Sequence, residues 1–83
     1  MLFHIKQVHT PEACPYGKGG SGSLHDKAAP GIKLLGFYGA FMEHTIYMIV
    51  AADDIDALHR FLLPGMLTCT TEITPVSDHP IPF

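Results

Sequence analysis

Four stretches dense in apolar and β-branched residues, separated by polar or glycine-rich breaks, predict four strands. Leu2 to Thr10 is the first, stopped by Pro11. Ile32 to Phe41 (IKLLGFYGAF) carries aromatic and aliphatic side chains around Gly36 and Gly39, which suggest a bulge or a close backbone approach. His44 to Ala52 (HTIYMIVAA) is apolar on both alternating sets, the pattern of a central strand covered on both faces. Leu67 to Val76 alternates more clearly, and its threonines suit an edge strand with one wetter face. Only Met42-Glu43 separates the second and third stretches, so they are expected to form a hairpin.

The segment after the third stretch reads as a helix of about ten residues. Asp53 or Asp54 can cap it, Asp56 stands three residues after Asp53 as a capping-box partner, and Pro64-Gly65 ends it. Ile55, Leu58 and Leu62 make one apolar stripe to lay on the sheet. Residues 11–31 hold much less. PYGKGGSGS (15–23) has the composition of a flexible loop, and only Ser23-x-x-Asp26 with Lys27-Ala28-Ala29 offers a turn or two of helix before Pro30-Gly31. The order is β, loop with a vestigial helix, β, β, α, β, with residues 77–83 as an extended proline-containing tail. This predicts one α+β domain over residues 1–83, a ferredoxin-like four-stranded antiparallel sheet in the order 4-1-3-2 with a degenerate first helix. In that plan the first and third strands are taken as parallel neighbours, with the fourth antiparallel beside the first.

Composition adds an expectation about partners. The chain is 83 residues long, 47% hydrophobic and 16% charged, where ordinary globular chains carry roughly 25% charge. So small a domain cannot hide that much apolar surface in itself, and a homodimer or larger homo-oligomer is expected. A net charge of −3 leaves no electrostatic footprint for nucleic acid. No apolar run reaches the ~18–20 residues of a membrane span. The N-terminus MLFHIKQVH lacks the marks of a signal peptide, so the two cysteines read as reduced thiols in a cytoplasmic protein.

The order of elements, the phrase EHTIYMIVAADD and the closing EITPV together resemble small one-domain dimeric α/β-barrel families. These include uncharacterised ferredoxin-like proteins, a nickel-binding group among them, and more distantly the muconolactone isomerase and antibiotic-biosynthesis monooxygenase families. The glycine-rich stretch in place of the first helix departs from that pattern. The resemblance implies the fold, a dimeric assembly, and either metal binding or a cofactor-free enzyme with an apolar pocket and a histidine base.

Six histidines and two cysteines are the candidate chemistry. The predicted sheet sets the end of the first strand, at His9, beside the start of the fourth, at Cys69. Cys14 folds back to the same end after one turn, and His25 could add a fourth ligand. Thiolate and imidazole donors suit zinc, nickel or copper rather than magnesium or calcium. His4 and His44, with Glu43 and His79, are assigned to the opposite end, roughly 16 Å from His9 along the strand. Competing readings make Cys14 and Cys69 buried small hydrophobes with the histidines scattered, or reactive thiols, or the whole chain an assembly module. Tyr38, Tyr47 and Met48 could line a pocket but suit core or interface packing better. GKGGSGS lacks the Walker pattern, and Asp53, Asp54 and Asp56 are explained by the helix dipole.

Overall fold

Alternation along β1 (Leu2–His9) buries Phe3, Ile5, Gln7 and His9 on one face, and this strand becomes a central one. The computed structural model describes residues 1–82. β1 is flanked by β3 (Thr45–Ala52) and β4 (Cys69–Val76), and β2 (Ile32–Ala40) pairs with β3, giving the order β2-β3-β1-β4. That is the expected 4-1-3-2 order read from the other edge. A register shift between Leu34 and Gly36 places a bulge in β2, at the first of the two glycines singled out.

The direction of β3 corrects the sequence reading. β1 and β3 are antiparallel, with Phe3 opposite Val50 and Val8 opposite Thr45. The long β1–β2 connection returns β2 parallel to β1, and the tight hairpin then reverses the chain, so β3 must run against β1. The start of β3 therefore lies beside the end of β1. The hairpin loop is also longer than two residues: a 3₁₀ turn, Phe41–Glu43, leads into His44 in the left-handed conformation at φ 51°.

One face of the sheet carries the core. Phe3 and Ile5 from β1 and Ile46, Met48 and Val50 from β3 meet Leu58, Phe61 and Leu62 of α1 (Ile55–Leu62), with Leu24 and Ala29 filling the space beside it. Ile55, expected on the apolar stripe, is 42% exposed, and Phe61 takes its place. With the helix starting at Ile55, the buried face is Leu58, Phe61, Leu62, an i, i+3, i+4 set. The first helix is reduced to 3₁₀ turns at Pro11–Ala13 and Ser21–Leu24. Between them Lys18 and Gly20 N–H groups both donate to the Pro15 carbonyl, and Gly17, Gly19 and Gly20 take positive φ. The opposite face, with His4, Lys6, Val8, Tyr38 and Tyr47, is uncovered, so the second apolar set of β3 is only half-buried. Among the described residues no helix is long and apolar enough to cross a membrane.

Asp54, rather than Asp53, caps the helix: its Oδ1 accepts from the Ala57 N–H at 2.8 Å. Asp54→Ala should lower stability by about 1 kcal/mol, read as a drop of roughly 4–8 °C in Tm, while Asp53→Ala should change it far less.

Candidate metal centre

Period-two alternation puts the His9 ring on the core face of β1, at the last residue of the strand, where it is 7% exposed. His44 reaches the same place from the end of the turn that precedes β3. Its left-handed backbone ends the hairpin turn, its N–H donates to the Phe41 carbonyl, and its own carbonyl accepts from the His9 N–H at 3.1 Å. Left-handed φ costs a non-glycine residue roughly 1–2 kcal/mol, so the turn holds His44 in a conformation it would not choose alone. Cys14 arrives by a third route. Pro11 starts a single 3₁₀ turn that carries the chain back over the sheet, and the Cys14 N–H closes it on the Pro11 carbonyl.

One potential ligand atom each from His9, Cys14 and His44 lies within 4.8 Å of the other two. The imidazole rings meet edge to face, their centroids 5.3 Å apart. Both ring nitrogens of His9 and Nδ1 of His44 are buried without a hydrogen-bond partner among the described residues. Leaving a buried polar atom unpaired costs about 1–3 kcal/mol. A neutral imidazole carries one lone-pair nitrogen and one N–H, so the two rings and the Cys14 sulfur can each offer one electron-pair donor atom here. Burial, and secondarily repulsion from His44, lowers the His9 pKa and so favours the uncharged ring. All three residues line one cavity of about 530 Å³, together with Pro15, Tyr16, Phe41, Met42 and Ile46.

The expected ligands divide differently. His9 and Cys14 come together as anticipated. Cys69 is the register partner of His9 across β1 and β4, yet it falls outside the group. Its Sγ lies 3.7 Å from Thr68 Oγ1, and it lines a different groove with His59, Leu62 and Met66. His25 also falls outside. Its Nε2 donates to Gln7 Oε1 at 2.8 Å, and its ring stacks on Phe61 and meets Phe37 edge-on. His4 lies on the uncovered face beside Tyr47. His44, assigned by sequence to the far end, is the member of the group that the sequence reading missed. The short hairpin carried the signal, since it forces β3 antiparallel to β1 and returns His44 to His9.

Residues 1–79 match the family model described as Domain of unknown function (DUF3303). The chain belongs to this family. No curated protein and no solved structure gives a significant match.

His25 gives a pH signature separate from the cluster. Burial, with a smaller push from Lys27, lowers its pKa to about 4, whereas an unfolded histidine titrates near 6.5. The unfolded state therefore takes up the proton first as pH falls. Stability should be unaffected by this group above pH ~6.5 and should fall between there and pH ~4, by up to about 1.4 kcal/mol per unit. Urea unfolding across that range should show a shallower decline for His25→Gln than for the natural chain.

Proposed function

We propose that the protein binds one transition-metal ion, of the zinc, nickel or copper class, through His9, Cys14 and His44, and works as a homo-oligomer. The observation that carries the reading is the pair of buried, unpartnered His9 nitrogens set against Cys14 and His44 within 4.8 Å. An N₂S donor set is soft enough to favour these ions over magnesium or calcium. The ion would replace hydrogen bonds the buried rings do not have, so binding and folding of this end of the sheet are coupled.

Equilibrium dialysis of untagged protein should show one ion per chain. His9→Ala, Cys14→Ser and His44→Ala should each weaken binding by more than about 100-fold, exceeding the usual effect of supporting residues. Cys69→Ser and His25→Gln should leave it within a few-fold. Affinity should fall as pH drops, because the Cys14 thiol gives up a proton to bind. Unchanged affinity in Cys14→Ser would remove the thiolate from the set.

The uncovered sheet face supports the homo-oligomer. Val8, Tyr38 and Val76 are exposed on it, with Tyr47 and Ile49 half-buried among them. Burying such a face at ~25 cal/mol per Å² would add several kcal/mol to a small core. Sedimentation at low micromolar concentration should show no folded monomer, and Tyr47→Lys should produce one or unfold the chain.

A further inference from the structure

Three protein ligands leave at least one coordination position of a zinc-like ion open, the arrangement of sites that accept an outside molecule rather than of closed structural ones. His9, Cys14 and His44 all line the same cavity, and its ~530 Å³ falls within the range that holds small organic ligands. The mouth of that cavity is built in an unusual way. Tyr16, Phe41 and Met42 are 89%, 79% and 95% exposed, three large apolar side chains standing in water around one opening. Gly39 leaves the space that the Phe41 ring uses: a Cβ there would stand 2.9 Å from the Phe41 Cε1. Exposed apolar surface gathered at a cavity mouth marks a place where apolar surface is to be covered.

Charge narrows the ligand further. The lining contains no Asp, Glu, Lys or Arg. A divalent ion held by one thiolate and two neutral imidazoles keeps a net charge of about +1. A ligand with a single negative donor group cancels it. A second charged group would be desolvated with no partner. The walls ask for an apolar body, and the ion asks for one anionic donor.

We infer that the cavity, on the metal-binding reading above, takes a small aromatic monoanion whose donor fills the open position and whose ring packs among Tyr16, Phe41 and Met42. The ion fixes the polar end, and the three rim side chains select the body. This goes beyond holding a metal: the ion becomes part of a receptor or reaction site for an organic acid.

The test uses the full chain loaded with cobalt(II), whose visible spectrum reports the ligands around it. Benzohydroxamate and acetohydroxamate present the same donor group on an aromatic ring and on a methyl group. Both should change the cobalt spectrum, with benzohydroxamate binding at least tenfold more tightly. Phe41→Ser and Tyr16→Ser should reduce that ratio toward one, whereas Leu67→Ser, an exposed residue away from the cavity, should keep it. A cobalt spectrum that neither hydroxamate alters would mean a closed site, and equal affinity for the two would mean that the rim selects nothing. Either result overturns this inference and leaves metal binding standing. Binding indifferent to Cys14→Ser alone removes the thiolate, and with it the charge argument for a monoanion, so it overturns this inference. Failure of cobalt to bind at all, or binding indifferent to both His9→Ala and His44→Ala, overturns the metal reading and this one with it.

Discussion

The antiparallel pairing of β1 with β3 is the constraint on which the other features rest. It places Phe3 against Val50 and Ile5 against Met48, so that the two middle strands present one continuous apolar face to α1. The same register brings the end of β1 to the start of β3. A one-residue slip would turn Phe3 and Ile5 to the uncovered face and carry His9 with them. Core packing thus fixes the position of the histidine, and the His9, Cys14 and His44 group inherits its precision from strands whose other core-face side chains are mostly apolar.

Two buried histidines in this small core solve the same problem in opposite ways. His25 is held by Gln7 and sandwiched by aromatic rings, with Gln7 in turn donating to Thr71 at 3.4 Å. Its polar edge is satisfied within the fold, so it behaves as a core residue that happens to titrate. His9 has neither partner, though it is as deeply buried. Burial alone does not separate a structural histidine from a ligand. What separates them is whether the ring nitrogens are already spoken for, and that is visible only once the neighbours are placed.

Most of the fold was legible because it rests on local patterns. The breaks at Pro11, Pro30-Gly31 and Pro64-Gly65 and the alternation of β4 delimited the elements, the hairpin made β2 and β3 neighbours, and the ferredoxin-like plan supplied the rest of the order. Details failed where two residues competed for one task. Asp53 and Asp54 are both good caps, and Ile55 and Phe61 are both apolar, so the phase of the helix was decided by its packing on Leu24 and the sheet. The site was half legible. His9 and Cys14 follow from the end of β1 and one turn, both local in sequence. His44 depends on strand direction, a property of the whole topology, and one wrong direction moved it across the molecule. Cys69 shows the reverse limit: correct register with His9 does not make its sulfur point into the same cavity.

The sequence distance between β1 and its neighbours has a kinetic consequence. β1 is the earliest strand of the sheet to be made, yet its partners are β3 and β4, beginning at Thr45 and Cys69. Local pairing is confined to the β2–β3 hairpin and the short α1. Closing the long loops to β1 loses chain entropy before any contact repays it, which places such a topology between the fast helical bundles and the slow all-β folds. Until those loops close, the apolar edge of the hairpin would wait without β1. The residues that build the site, His9 and Cys14 on one side of the gap and His44 on the other, meet only through that long-range pairing.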